Sequence, residues 1–329
     1  MTLTSLSDKI RFIENVFGSG KLARNAKNFD VKCPICDPRD HTKKKLAIHV
    51  EDGKVHCWVC GYRAHTLVPL IKKFSSVDVL SEYVEKFMPD ISAYKRKRQL
   101  SVVGEEKHVE LPKDFKMLVF ASSFDPDTNA VRRYLRDRGV STRDLWYFKI
   151  GVSRDPRWYR RAIVPSFDRL GELNYFVART IDKRARPKYD NPDFDKLPII
   201  FNEINIDWKQ PVVICEGVFD AFKCGDNTVP LLGSDLNEQS ALFNMILVHN
   251  TPVFLALDGD MWETKTLKIA KKLSEYNVHV DIVDTRQCHD PGSVTKEQFK
   301  KLLDSAKQFS WSSSFYTRLG RASRISLST

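Results

Sequence analysis

At 329 residues with 42% hydrophobic positions, the chain can bury more than one hydrophobic core, and this composition excludes an intrinsically disordered protein. Lys and Arg number 53 against 42 acidic residues, so the formal net charge is +11, which favours a polyanionic partner. The sequence has no apolar run of membrane-spanning length and no signal peptide pattern near Met1, so we expect a cytoplasmic protein without a membrane partner.

The sequence predicts helices around a short β-hairpin in the N-terminal third of the chain. Residues 1–30 have an amphipathic helical pattern, and two β-rich runs at 46–50 and 54–58 are separated by Asp52-Gly53, which is typical of a tight turn. Thr66 is expected to cap a helix whose apolar residues recur at helical spacing, and a second helical pattern over 77–88 ends at Pro89.

Two Cys-x-x-Cys pairs flank this hairpin, with twenty residues between Cys36 and Cys57. The spacing predicts one structural zinc ion bound by Cys33, Cys36, Cys57 and Cys60. Four free buried thiols are the alternative, and a histidine could replace one thiolate. The candidate histidines are His41, His49, His56 and His65. The odd total of seven cysteines, four of them in tight pairs, favours metal binding in a reducing compartment over disulfides.

Two residues near the hairpin are candidates for nucleic-acid contact. Trp58 offers a ring on which a base can stack, and Lys45 offers a phosphate partner. A packed aromatic side chain and a solvated lysine run at 43–45 are equally good interpretations.

Composition divides the chain into five segments. We predict a zinc-ribbon DNA-binding domain (1–90), a charged linker (91–112), a basic subdomain (113–210), a catalytic subdomain (211–305) and a basic tail (306–329). Residues 131–190 hold sixteen Lys or Arg against seven acids, so most of the positive excess lies in the basic subdomain.

Acidic residues follow three predicted strands of the catalytic subdomain. Glu216 ends the run Val212–Cys215, Asp258 and Asp260 follow 251–257, and Asp290 lies on a turn after 278–283. Because parallel strands place such residues at one sheet edge, the three segments are expected to converge. Clustered carboxylates favour a divalent cation, and oxygen ligands favour Mg²⁺ or Mn²⁺. A single Asp-Gly-Asp is more often a structural turn.

The ordered set strand-Glu-Gly, strand-Asp-Gly-Asp and Asp-Pro-Gly resembles the Toprim domain of primases, topoisomerases and related nucleases over about residues 211–300. The resemblance implies that Glu216, Asp258 and Asp260 are catalytic metal ligands and that Asp220 and Asp290 support them. Many bacterial primases have Asp-Pro-Asp where this chain has Asp290-Pro291-Gly292, so the number of bound metal ions stays open.

The preceding segment resembles the start of the catalytic core of DnaG-type primases. Its motifs are 134–140, 148–152, 161–168, 176–179 and 187–192. The resemblance implies that Arg161, Arg179 and Lys188 contact template phosphates or nucleoside triphosphate. A merely solubilising surface is the alternative for each of these basic residues.

The order of domains resembles the stand-alone primase subunit of T-even-like phages. It implies an α/β fold, in which a small β-rich zinc ribbon precedes a primase core with a parallel-sheet Toprim subdomain. The implied enzyme is a DNA-directed RNA polymerase that joins ribonucleoside triphosphates into short RNA primers on single-stranded DNA during replication, in the bacterial host cytoplasm. Because the sequence has no Gly-x-x-x-x-Gly-Lys-Ser/Thr motif, a separate replicative helicase is the expected partner. A zinc and Toprim recombination mediator without catalysis, or a Toprim nuclease, is the alternative.

Overall fold

The computed structural model describes residues 6–24, 26–36, 43–88, 109–233, 235–288 and 290–310, without the side chains of 261–263. These residues form two compact units. The first holds the described residues before 89, with Asn237–Asn250 and Glu275–Asn277. The second holds the other described residues from 109 onward. The fold is mixed α/β with an N-terminal cysteine-rich region like a zinc ribbon, as the sequence predicted.

The first unit is built on a five-stranded antiparallel sheet in the order β1-β2-β3-β4-β5. Its strands are β1 Lys21–Leu22, β2 Asn28–Val31, β3 Leu46–His49, β4 Val55–Cys57 and β5 Arg63–Ala64. The predicted hairpin is confirmed as β3 and β4, and Gly53 takes the φ of +74° that its turn requires.

Helices cover the first unit's sheet. They are α1 Leu6–Phe17, α2 Val68–Phe74 and α3 Val77–Phe87. The predicted capping of α2 is confirmed in part, because Thr66 Oγ1 accepts the Val68 N–H at 3.3 Å while Leu67 takes the N-cap position. The largest fully buried side chains of this unit include Ile13, Leu46, Ile48, Ile71 and Tyr83.

One further helix of the first unit comes from much later in the chain. This helix, α7 (Ala241–His249), contacts α2 and α3. Thr66 Oγ1 donates to Asn244 Oδ1 at 2.9 Å, and Lys72 Nζ donates to Asn250 Oδ1 at 2.7 Å. The first unit is therefore assembled from segments more than 150 residues apart.

The second unit begins with an antiparallel sheet in the order β6-β7-β8-β9. Its strands are β6 Lys116–Met117, β7 Gly151–Val152, β8 Arg161–Phe167 and β9 Leu173–Thr180, and its helices are α4 Pro126–Asp137 and α5 Thr142–Tyr147. The long pair β8 and β9 is buried along most of its length, as the apolar motifs at 161–168 and 176–179 require.

The second sheet of this unit has the order β11-β10-β12-β13-β14. Its strands are β10 Val212–Cys215, β11 Thr228–Pro230, β12 Val253–Ala256, β13 Val280–Ile282 and β14 Lys307–Gln308. The first four are parallel and β14 is antiparallel, which confirms the predicted parallel βα units. The helices are α6 Val218–Cys224, α8 Leu267–Ser274 and α9 Lys296–Asp304.

Cys215 and Cys224 lie in an apolar cluster of this unit with Val213, Ala256 and Phe299, so they pack as small apolar side chains. None of the described helices has the length and apolar composition needed to cross a bilayer. The five predicted domain boundaries stay predictions, and most of the predicted linker and tail lies outside the described residues.

Candidate metal centre and basic margin

Two adjacent parallel strands carry the acidic residues to one edge of the sheet. Cys215 of β10 pairs with Ala256 of β12. Glu216 therefore follows its strand by one residue and Asp258 by two, which places both carboxylates at the carboxyl edge where open α/β sheets bind ligands.

The loop after β13 reaches the same edge. A Cβ on Gly259 would lie only 2.6 Å from the carbonyl oxygen of Thr285, so the backbone of the Asp-Gly-Asp turn packs directly against that loop. Glycine is the residue that permits this approach. Thr285 Oγ1 also donates to the carbonyl oxygen of Leu257 at 2.5 Å.

Asp220 and Asp290 meet beside this turn. Asp220, in the first turn of α6, accepts the Gly217 N–H through Oδ2 at 2.9 Å. A Cβ placed on Gly292 would lie 2.6 Å from Asp220 Oδ1 and 3.1 Å from Asp290 Oδ1. The two carboxylates thus occupy the space in front of Gly292.

The five acids interact electrostatically and are called the acidic cluster here, although no three of these described residues bring carboxylate oxygens within 4.8 Å of one another. The pKa of Asp258 is raised to about 7, first by burial and then by the carboxylates of Asp220, Glu216, Asp290 and Asp260 in that order. Burial also raises the pKa of Asp220 to about 6 against the Gly217 hydrogen bond, with added repulsion from Asp290 and Glu216. Mutual repulsion of this kind is relieved by a bound cation.

Two oxygens of the cluster fit a hard divalent cation. Glu216 Oε2 and Asp258 Oδ1 are buried and have no hydrogen-bond partner in the described part of the chain. A buried carboxylate oxygen without a partner is costly, and Mg²⁺ or Mn²⁺ takes such oxygens as ligands. Asp260 is exposed.

A lysine that was not predicted from the sequence lies against this cluster. Lys265 lies in the turn before α8, its side chain is only 6% exposed, and Nζ is 3.0 Å from Glu216 Oε1. The signal was the spacing of Lys265 with the fully buried Ile269 and Leu273 at four-residue steps, which places the lysine on the inward face.

Arg179 borders the acids from the antiparallel sheet. Its guanidinium lies 4.6 Å from the centre of the Phe219 ring and 5.3 Å from that of Tyr189, and Nη1 donates to the Tyr189 hydroxyl at 2.8 Å. Nε is buried without a partner among the described residues. The planar group is thus held in place with donor capacity left over.

Lys188 lies beside Arg179. The pKa of Lys188 is lowered, first by Arg179, then by burial and by Arg138, while Asp220 and Asp290 act in the opposite direction. The lysine therefore interacts electrostatically with both the basic residues and the acidic cluster. We call Arg138, Arg179 and Lys188 the basic margin of the centre.

Arg161 is placed differently. Its side chain is buried, and Nη1 and Nη2 each donate to the carbonyl oxygen of Pro187 at 3.2 Å. This arginine supports the loop that carries Lys188, while its predicted phosphate contact stays a prediction.

The four predicted zinc ligands come together in the first unit. The Sγ atoms of Cys33, Cys36, Cys57 and Cys60 all lie within 4.8 Å of one another, the donor set of a tetrahedral zinc site. Burial opposes ionisation of Cys57, but N–H groups of Cys60 and Val59 and neighbouring thiols outweigh it and lower its pKa to about 7. Burial raises the pKa of Cys33 and Cys36, so without a cation only Cys57 of these three favours the thiolate that zinc requires.

The described histidines near this cluster have other partners. His49 Nδ1 is 2.7 Å from Asp52 Oδ1, His65 Nε2 is 3.0 Å from Gln239 Oε1, and the ring of His56 packs on Trp58. His41 lies outside the described residues.

Trp58 and Lys45 lie close together on the first unit. Trp58 is 69% exposed, Lys45 is exposed, and the Trp58 N–H donates to the Lys45 carbonyl oxygen at 3.0 Å. An exposed ring and an exposed lysine on hydrogen-bonded backbone positions suit stacking with a base and pairing with a phosphate.

No family model and no curated protein matches the chain. Among solved structures, the zinc-binding and RNA polymerase domains of the Aquifex aeolicus primase are similar at 18% identity, a TM-score of 0.48 and coverage of 92% of this chain and 86% of that one. The catalytic core of the E. coli primase is similar at 19% identity and a TM-score of 0.48, covering 59% of this chain and 78% of that one. A DnaG primase catalytic domain bound to single-stranded DNA is similar at 18% identity and a TM-score of 0.48, covering 66% of this chain and 81% of that one.

Proposed function

We propose that the chain is a DNA primase, which synthesises short RNA primers on single-stranded DNA by metal-dependent nucleotidyl transfer. The observation that carries the proposal is the cluster of five carboxylates at one sheet edge, with two buried unpartnered oxygens and a basic margin beside it. Nucleotidyl transfer requires ligands for a cation, which the carboxylates provide, and partners for phosphate groups, which the basic margin provides.

Glu216, Asp258 and Asp260 would hold Mg²⁺ or Mn²⁺, with Asp220 and Asp290 as further ligands. A cation bound there would offset charge on the phosphates and on the departing pyrophosphate. In the reaction the 3′-hydroxyl oxygen of one ribonucleotide bonds to the α-phosphorus of the next, and the bond from that phosphorus to pyrophosphate breaks. Arg179 and Lys188 would bind the triphosphate or a template phosphate, and Arg179 is already held rigidly by Phe219 and Tyr189.

The zinc-ribbon-like region would bind the template strand. Trp58 would stack on a base and Lys45 would pair with a phosphate, in a region whose zinc ion is structural. We further propose a Toprim fold for the catalytic subdomain, a phage-type stand-alone subunit in the bacterial cytoplasm, and a separate replicative helicase as partner.

The test is primer synthesis by the full chain. With single-stranded DNA, four ribonucleoside triphosphates and Mg²⁺, we expect short RNA products, and Glu216→Gln lowers their rate of formation by about a hundredfold or more because a cation ligand is lost. The exposed Glu172 provides the matched control, since Glu172→Gln makes the same charge change on a surface hairpin and leaves the rate unchanged.

Each other outcome of this assay would indicate a different function for the chain. Degradation of the template without new RNA indicates a nuclease. DNA binding without any chemistry indicates a recombination mediator. Undiminished primer synthesis by Glu216→Gln contradicts the assignment of the catalytic centre.

A further inference from the structure

We propose that Lys265 is a positioning residue that holds Glu216 by one oxygen and takes the place of a second divalent cation, so that the acidic cluster binds a single Mg²⁺ or Mn²⁺. This inference rests on the proposed function and specifies how the same centre is loaded. Its starting point is the ion pair between Lys265 Nζ and Glu216 Oε1, 3.0 Å apart, with the lysine side chain 6% exposed.

The ion pair divides the Glu216 carboxylate into two oxygens with different tasks. Oε1 faces the Lys265 ammonium, whereas Oε2 is buried and unpartnered. Two metal ions about 3.5–4 Å apart are commonly bridged by a carboxylate that offers one oxygen to each ion. With Oε1 engaged, Glu216 offers one oxygen. That oxygen and Asp258 Oδ1 can bind one cation, whose other ligands come from the remaining acids, water or substrate.

The second support is the space at Gly292. Gly292 has no side chain that could bind a cation, and even a Cβ there would lie 2.6 Å from Asp220 Oδ1. Asp220 is itself fixed by the Gly217 N–H at 2.9 Å. Gly292 therefore adds no ligand oxygen to the cluster, whereas Lys265 adds a positive charge, and both features disfavour a second cation.

An ammonium in this position also accounts for the burial of the lysine. A buried lysine is retained at low cost only where a carboxylate compensates its charge, and Glu216 does so. In turn the lysine keeps Glu216 from turning away from Asp258 before a cation binds. Lys265 contacts a proposed metal ligand without being one, so its role is to position Glu216 and to exclude a second cation.

The experiment counts bound cations on the full, zinc-loaded chain. Mn²⁺ is titrated into the protein and the free ion is followed by electron paramagnetic resonance, and sites lost in the double variant Glu216→Gln/Asp258→Asn are assigned to the cluster. We expect one such site in the unsubstituted chain. In Lys265→Met a second site appears, and the first binds Mn²⁺ roughly tenfold more tightly because a repelling charge is gone.

Lys268→Met is the matched control. It makes the same change three residues further along, where the side chain is 62% exposed and pairs with Asp235 at 2.7 Å, and it should retain a single site. Two cluster sites in the unsubstituted chain overturn the proposal, and so does a Lys265→Met variant that keeps one site with unchanged affinity.

A second measurement covers the case in which Lys265→Met folds poorly. The cation count of the unsubstituted chain decides the stoichiometry without any variant, and Lys265→Gln, which retains a hydrogen-bond donor, repeats the comparison. Primer synthesis is assayed separately. A chain that binds one Mn²⁺ but makes no RNA refutes the proposed function alone, whereas RNA synthesis with two bound ions refutes this inference alone.

Discussion

At Arg179, the contribution of ring packing can be tested separately from that of the hydrogen-bond donors. Its guanidinium lies over the Phe219 ring at 4.6 Å and donates to the Tyr189 hydroxyl, so a lysine retains the charge but loses the planar set of donors. We expect Arg179→Lys to raise the KM for ribonucleoside triphosphates by about tenfold. Steady-state primer synthesis measures this change.

Arg179→Met is the control for packing. It keeps apolar contact with the two rings and should affect the KM at least as strongly, while the denaturation midpoint of both variants stays close to that of the unsubstituted chain. A normal KM in Arg179→Lys would show that only charge is needed at this position.

Lys188 and Lys183 are both exposed and lie in the loop after β9. We expect the two lysines to differ in function. Lys188 lies beside Arg179 and the acidic cluster, whereas Lys183 belongs to a generic basic run. Lys188→Gln should lower the slope of log affinity against log salt for single-stranded DNA by about 0.7, the release of one counterion. Fluorescence anisotropy from 50 to about 200 mM salt measures the slope.

Lys183→Gln makes the identical charge change and should leave the slope nearly unaltered. Equal effects of the two substitutions would mean that the whole loop acts as a diffuse positive surface.

At the scale of elements, Asp144 joins two helices of the second unit. It caps α5 through Ser141, and the Lys296 ammonium at the start of α9 donates to its Oδ1 at 2.6 Å, with the aspartate side chain 2% exposed. Asp144→Asn removes the charged member of the capping box and replaces the partner of the Lys296 ammonium with a buried neutral amide. We expect a loss of about 2 kcal/mol in the free energy of unfolding.

The same residue predicts a pH dependence. Burial opposes ionisation of Asp144, but hydrogen bonds from Lys296 and Ser141 outweigh it and lower the pKa below the usual value. A lowered pKa stabilises the fold above about pH 4 and the benefit disappears as the pH falls toward the lowered value. The difference between Asp144→Asn and the unsubstituted chain in urea unfolding should therefore shrink from pH 7 to about pH 3.

Asp226 supplies the surface comparison. It pairs with Arg143 of α5, the helix that contains Asp144, but both side chains are more than half exposed. Asp226→Asn should cost less than about 1 kcal/mol. A cost as large as that of Asp144→Asn would show that burial does not set the strength of these pairs.

Local patterns in the sequence were sufficient for the elements and for the acids. Two β-rich runs around an Asp-Gly turn predicted β3 and β4, and strand ends predicted the positions of Glu216 and Asp258. Both kinds of prediction depend only on the chain within a few residues. The Lys265 ion pair could not be predicted in the same way. It joins residues 49 positions apart, and the charge on a helix face does not indicate which carboxylate it will meet.

At the scale of the whole molecule, local sequence patterns likewise could not predict to which of the two units a helix belongs. α7 has a good apolar pattern for a helix between strands of the parallel sheet, yet it belongs to the first unit. Its hydrogen bonds to Thr66 and Lys72 span 178 residues in sequence, and only tertiary contacts decide such a choice. The proposed zinc-ribbon region therefore shares its core with a segment from the catalytic half of the chain.

This organisation leads to a prediction for the removal of zinc. Without the metal, four clustered thiols lose the bonds that hold the ends of the hairpin, and structural zinc contributes about 10–16 kcal/mol in small zinc domains. We expect chelation under reducing conditions to remove hydrogen-exchange protection from β3 and β4 while β8 and β9 in the second unit stay protected.

Cys57→Ser should reproduce the effect of chelation, whereas Cys288→Ser, outside the four-thiol cluster, should retain one zinc ion per chain and full protection. If β3 and β4 remain protected after zinc is removed, the apolar core of the first unit suffices to fold it. The buried Leu46, Ile48 and Ile71, together with α7, would then supply the stability that the sequence assigned to the metal. Comparing exchange with and without zinc thus measures how much of the first unit's stability comes from the metal and how much from the late segment that completes its core.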